Sequence, residues 1–95
     1  MVLALRWTPQ ALEEFNRVME TLAKSASQYA SEVASQVIRI TRLLKRFPRI
    51  GRRSPDSSDP NIREMPLGRY MLVYRIREKE IVIYAFVPTG TSVRL

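Results

Sequence analysis

The chain has 95 residues, with 16 Lys and Arg against 9 Asp and Glu, and so a net charge of +7. It contains no Cys and no His, which excludes a disulfide framework, a thiolate nucleophile, a Cys/His metal site and a Ser-His-Asp triad. Any chemistry has to come from Lys, Arg, Tyr, Ser, Thr, Asp or Glu; no metal or cofactor is expected, and the charge points to a polyanionic or acidic partner.

"VLALRW" is a short apolar-rich run and reads as a strand. "TPQALEEF" then opens a helix: Thr8 can cap it, Pro9 suits its first position, and Glu13 and Glu14 lie towards the positive end of its dipole. Leu12, Phe15, Val18, Met19 and Leu22 recur at three- and four-residue spacing and form an apolar stripe. Glu13, Glu14 and Glu20 read as its solvated side. A second stripe follows at Tyr29, Val33, Val37, Ile40, Leu44 and Phe47. The two stripes are almost in phase, so one continuous helix of about 58 Å, at 1.5 Å per residue, is the alternative to a hairpin. Such a length exceeds the width of so small a globule. The break is therefore expected at "SASQ", where Ser25 and Gln28 have capping-box spacing. Pro48 ends the second helix.

"RIGRRSPDSSDPN" reads as loop from its Gly, Pro, Ser and Asp content. "IREMPL" is a weak strand whose Pro66 marks an edge or a turn. Gly68 marks a tight connection into "RYMLVYRIR", where Tyr70, Leu72, Tyr74 and Ile76 share one face and Arg75 and Arg77 the other. After "EKE", "IVIYAFVP" is apolar on both faces, as a central strand is. The expected fold is α+β: an N-terminal strand, a helical hairpin, then antiparallel strands in one small sheet with the helices packed on one face. Residues 1–95 make a single domain. No apolar run approaches the roughly 18 residues of a membrane span, and the N-terminus lacks a secretion signal, so cytoplasmic residence is expected.

Residues 39–53 hold seven basic residues and no acid. Arg39, Arg42, Lys45 and Arg46 interleave with Ile40, Leu44 and Phe47 and fall on the outer face of the second helix. Arg49, Arg52 and Arg53 lie in the loop, where function concentrates. Arg63, Arg69 and Arg75 come from the strands and can bind phosphate or carboxylate bidentately if they converge. Trp7, Phe15, Tyr29, Phe47, Tyr74 and Phe86 sit in apolar runs and read as core.

"LRWTPQALEEF" after the first strand, "RFPRIGRR" after the second helix, "IREMPLGRYMLVYRI" and "EIVIYAFV" together resemble the RelE/ParE superfamily of type II toxin–antitoxin toxins. The resemblance covers nearly the whole chain and is closer to the ParE, plasmid-stabilisation side. It implies a partner, a small acidic antitoxin that silences the toxin, and indirect DNA binding through that antitoxin. It also implies one of two targets. RelE-like members cleave mRNA on the ribosome; ParE-like members poison DNA gyrase and are not nucleases.

RNA cleavage needs a group to take the 2′-hydroxyl proton, positive charge for the phosphorane and an acid for the leaving oxygen. Where the resemblance places an Arg at the start of the middle strand, this chain has Met71. After the last strand, where a basic residue or histidine and a tyrosine are expected, it has Thr89 and Thr91, with Arg94 the one remaining cation. Tyr70, Tyr74 and Tyr84 sit in strand patterns and read as core. A nuclease set is thus incomplete, and the expected reading is a ParE-like poison rather than an enzyme. A decayed, non-toxic member is the further alternative. The residues expected to bind target or antitoxin are Arg49, Arg52, Arg53, Arg63, Arg69, Arg75 and Arg94; none is assigned a catalytic role.

Overall fold

Thr8 begins the first helix as its sequence requires. Its backbone is extended, and its hydroxyl oxygen accepts the Ala11 N–H at 3.1 Å. Pro9 follows at the first helical position, where its missing N–H costs nothing. The computed structural model describes residues 2–95 and runs β1 (Ala4–Trp7), α1 (Pro9–Ser25), α2 (Ser27–Arg46), a single 3₁₀ turn (Pro48–Ile50), β2 (Arg52–Arg53), β3 (Ile62–Leu67), β4 (Tyr70–Ile76) and β5 (Glu80–Pro88). Among the described residues no helix is long and apolar enough to cross a membrane.

The helices are separate, and they break inside "SASQ". The long axis of the molecule is 39 Å, too short for one helix across both stripes. The break is at Ala26, whose φ of −154° and ψ of 62° leave the helical region. The expected capping box does not form. Ser25 belongs to α1, its hydroxyl donates back to the Thr21 carbonyl, and α2 starts without a side-chain cap. Glu13 and Glu14 also lie beyond the first turn of α1, out of reach of its end charge.

The sheet order is β1-β5-β4-β3-β2. β3, β4 and β5 are antiparallel, as their tight connections require. β1 differs from expectation: it lies parallel to β5, from Ala4 opposite Glu80 to Trp7 opposite Ile83, so the sheet is mixed. The whole chain separates these two strands, and a long crossover permits parallel pairing. Gly68, with φ of 62°, takes the first position of the β3–β4 turn, a conformation open to glycine at little cost.

β5 carries a bulge. Val73 faces Ala85 but Tyr74 faces Ile83, so Tyr84 has no partner across the ladder. Strand side chains alternate, so one extra residue exchanges the faces beyond it. Ile81 and Ile83 face the helices before the bulge, and Phe86 does so after it. There Phe86 packs edge-on against Phe15 at 5.2 Å and stacks on Tyr70. Beyond the end of β1, the Phe86 N–H is taken by the Glu14 carboxylate at 3.0 Å. Glu14 is therefore a structural acceptor rather than part of the solvated helix side.

The main core lies between the sheet and the helices, with Val33, Val37, Ile40 and Leu44 of α2 against Leu72, Tyr74, Ile81 and Ile83. Two stripe residues expected inside are outside: Leu12 is 46% exposed and Phe47 57%. Ala11 is buried on α1 instead, and α2 has unwound by Phe47, its C-cap. On the opposite sheet face Ile62, Met71, Val73 and Ala85 form a smaller cluster, over which Val93 packs from the C-terminal tail.

Glu14→Ala strands the Phe86 N–H at a half-buried position. It is expected to lower stability by about 1–2 kcal/mol. Glu13→Ala, which removes an exposed contact to Arg17, should change it by less than about 0.5 kcal/mol. Urea denaturation of the two variants makes the comparison, and equal effects would contradict the assigned hydrogen bond.

Candidate functional site

The site begins at Tyr74. This side chain is fully buried, yet its hydroxyl donates to the Pro48 carbonyl at 2.6 Å and accepts the Gly51 N–H at 3.0 Å. It thereby pins the 3₁₀ turn to the sheet as the chain leaves α2. Gly51 is required here for space: a Cβ would lie 2.5 Å from the Tyr74 hydroxyl and 2.7 Å from the Glu64 carbonyl. The pinned turn delivers the chain into β2, so Arg52 and Arg53 lie on a strand and not in the expected loop. Arg52 pairs with Glu64 and Arg53 with Arg63.

That short strand sorts the arginines by face. Arg52 turns away from the helices and meets Glu64 at 3.0 Å. Glu64 is only 2% exposed, so its carboxylate depends on this partner. Arg75, on the same face, meets Asp59 at 3.1 Å. Both arginines are ion-paired parts of the framework.

Arg53 and Arg63 project to the other face, directly opposite each other across the ladder. Arg63 is held by neutral oxygens: its Nη1 donates to the Gly51 carbonyl at 2.9 Å and the Arg49 carbonyl at 3.3 Å, and its Nε to the Pro60 carbonyl at 3.2 Å. Arg53 reaches the Ser58 carbonyl at 3.5 Å, and Arg49 the Asn61 Oδ1 at 3.4 Å. Among the described residues, none of these three lies within ion-pair distance of a carboxylate. Like charges opposed across a ladder repel, and no acid relieves them here. The 54–61 segment, which supplies the Ser58 and Pro60 carbonyls and the Asn61 side chain, is held by Ser and Asp turns. The Ser54 hydroxyl accepts the Asp56 N–H, the Ser57 hydroxyl the Asp59 N–H, and the Asp59 carboxylate the Asn61 N–H.

The remaining expected site residues lie elsewhere. Arg69 sits at the β3–β4 turn, with its guanidinium 5.2 Å from the Tyr29 ring centroid and its backbone N–H donating to the Tyr29 hydroxyl. Arg94 lies on the tail beside Pro55–Ser58, where the Asp56 carboxylate accepts the Val93 N–H at 3.2 Å. Arg49, Arg53 and Arg63 thus form one corner, while Arg52, Arg75, Arg69 and Arg94 do not join it. Sequence reading missed Glu64 and Asn61. Glu64 shares strand parity with Ile62, the one signal that it belongs to the buried far face.

Chemically, the corner presents positive charge that an anion could meet. Guanidiniums there offer paired donors to a phosphate or carboxylate. Tyr74 has both hydrogen bonds occupied, Met71 is buried in the far-face cluster, and Tyr84 sits half-buried on the bulge of β5. Burial, the largest influence, pushes the Tyr74 phenol above its ordinary value of 10.0; the Gly51 N–H and the Arg63 and Arg49 guanidiniums oppose that rise.

A five-stranded sheet backed by a helical hairpin defines a small α+β protein, and among the described residues its basic corner has no carboxylate within ion-pair distance. The chain belongs to the ParE toxin family of type II toxin–antitoxin systems (parDE), which it matches over residues 5–91. Its fold is similar to a chain of the chromosomal ParDE toxin–antitoxin system from P. aeruginosa, with a TM-score of 0.72, 19% identity, and coverage of 92% of this chain and 96% of that one. It is also similar to a chain of the toxin–antitoxin complex RelBE2 from Mycobacterium tuberculosis, with a TM-score of 0.65, 21% identity, and coverage of 93% and 99%. No curated relative matches it by sequence.

Two stability predictions follow from the site. Arg52→Ala leaves a buried carboxylate without its cation and should cost about 1–3 kcal/mol, whereas Arg53→Ala should stay within about 0.5 kcal/mol. Urea titrations of both measure this. Tyr74→Phe should also cost about 1–3 kcal/mol near neutral pH. Because folding raises the phenol pKa, its proton-linked stability is complete below the unfolded value of 10.0 and is lost as pH rises through the folded one. The wild type should therefore lose stability more steeply than Tyr74→Phe above that pH.

Proposed function

We propose that this chain is a toxin silenced by a small acidic antitoxin, and that it acts by binding DNA gyrase rather than by cutting RNA. The observation that carries the reading is the family match across residues 5–91. The chemistry of the corner favours binding over cleavage: it has cations in place for an acidic surface, and the nearest tyrosine hydroxyl is committed to Pro48 and Gly51. Charge of this sign also speeds encounter with an acidic antitoxin and makes it salt-dependent.

Induction of the chain alone, followed by DNA supercoiling and translation assays with purified components, tests the reading. Growth arrest with inhibited supercoiling is expected. Site-specific cuts in ribosome-bound mRNA would replace gyrase with the ribosome as target, and unimpeded growth would mark a non-toxic member. Within the toxin, the double substitution Arg49→Ala with Arg53→Ala should reduce toxicity at least about tenfold, in line with the loss of two charge-assisted contacts. Arg39→Ala with Arg42→Ala should leave it near the wild-type level, as measured by the inducer concentration that halts growth.

A further inference from the structure

Phe47 precedes Pro48, and the proline disfavours helical geometry there; Phe47 takes φ of −129° and ψ of 72°. Its ring is 57% exposed, and Ile50, at the end of the 3₁₀ turn, is 47% exposed. The Ile50 N–H donates to the Phe47 carbonyl at 3.1 Å, and residues three apart in such a turn stand one above the other. The other exposed large hydrophobics among the described residues, Val2, Leu12, Ile38 and Leu95, are scattered along the chain. The backbone that carries Phe47 and Ile50 is braced from two sides. Tyr74, from the core, holds the Pro48 carbonyl and the Gly51 N–H; Arg63, from β3, holds the Arg49 and Gly51 carbonyls. Arg46 and Arg49 belong to the same stretch of chain, and Arg53 lies opposite Arg63 across the ladder. None of these four arginines is in an ion pair among the described residues, and the sequence has no Asp or Glu between Glu32 and Asp56.

We propose that this braced turn is a docking knob for a protein surface: Phe47 and Ile50 enter an apolar recess on the target enzyme, and carboxylates on the rim of that recess meet the arginines. The inference rests on the gyrase reading above and deepens it, by naming the recognised surface as protein rather than as the DNA that the enzyme holds. Ordering a loop on binding costs affinity, but here Tyr74 and Arg63 already fix the backbone in the free toxin. Apolar anchors at the centre with charge around them are the usual build of an interface hot spot. Arg49, Arg53 and Arg63 offer paired donors to the carboxylates of the rim. Arg63 thereby has two parts, a positioning residue for the turn and a charge beside it. Other occupants fit worse. A duplex backbone would use the arginines alone and leave Phe47 and Ile50 in water. A single strand could stack one base on Phe47, but Ile50 offers no ring to the next. A second copy of this chain would set four unpaired arginines against four more.

The test uses the full chain and purified gyrase without DNA, with binding followed by calorimetry and inhibition by a supercoiling assay. Phe47→Ala and Ile50→Ala change exposed side chains and leave Pro48, Gly51 and every arginine in place. Each is expected to weaken binding and inhibition at least about tenfold, in line with the loss of a central anchor. Phe47→Leu, which keeps an apolar side chain, should recover most of both, and this separates a lost contact from a lost fold. At raised salt the penalty of Phe47→Ala should persist while that of Arg49→Ala with Arg53→Ala shrinks. Alanine variants that bind and inhibit as the wild type does would overturn the knob and leave the gyrase reading intact. A wild type without effect on supercoiling would overturn the gyrase reading, and the knob with it. Binding that requires DNA, or binding of a short oligonucleotide that both alanine variants lose, would assign the turn to nucleic acid and overturn the proposal. Undiminished inhibition together with weaker binding of the acidic antitoxin would overturn it as well.

Discussion

The buried hydroxyl of Tyr74 determines how the two halves of the molecule meet. Among the described residues fully buried in the main core, Tyr74 alone carries a polar side-chain group, and burial without partners would cost several kcal/mol. Its partners are the Pro48 carbonyl and the Gly51 N–H, on the segment that leaves α2. Satisfying the hydroxyl therefore fixes the path of the chain after the helical layer. Gly51 makes that path feasible, because a side chain there would collide with the same hydroxyl and with the Glu64 backbone. β2 begins at the next residue.

From that point strand geometry takes over. Neighbouring residues on a strand face opposite ways, so Arg52 and Arg53 part company although they are adjacent and chemically identical. One becomes the partner of a buried carboxylate; the other meets Arg63 above neutral carbonyls. The bulge at Tyr84 applies the same parity rule in reverse. One extra residue returns the aromatic Phe86 to the helical side, and Glu14 supplies the acceptor that the ladder lacks there. Charge and hydrophobicity were available along the chain; which of them reach solvent depends on these two local events.

Much of the fold was legible. Thr8 and Pro9 mark a helix start through capping and a missing donor. Pro48 marks a helix end, and the apolar alternation of 70–76 and the apolar run of 81–87 mark strands. Each signal is local, spanning a turn or a strand, and each was found where it was read. What failed was partly non-local and partly a matter of where the helices end. The parallel seat of β1 depends on β5, almost the whole chain away. Ser25 looked like a cap but was drawn into its own helix by the Thr21 carbonyl. Phe47 continued the stripe on paper, but the helix unwinds there and turns the ring outward. The arginines expected to act together do not all lie together, because pairing with Glu64 and Asp59 withdraws Arg52 and Arg75.

The sequence by itself determined a small, strongly basic α+β domain without Cys or His, and with it the absence of thiol and imidazole chemistry. Its motifs also carried the resemblance to the toxin superfamily that the family match bears out. Only the tertiary structure decided which cations are left free and which apolar residues lie outside. Freedom from pairing depends on distances to carboxylates that the chain order does not encode. Exposure of Phe47 and Ile38 depends on where α2 ends and which of its faces the sheet occupies.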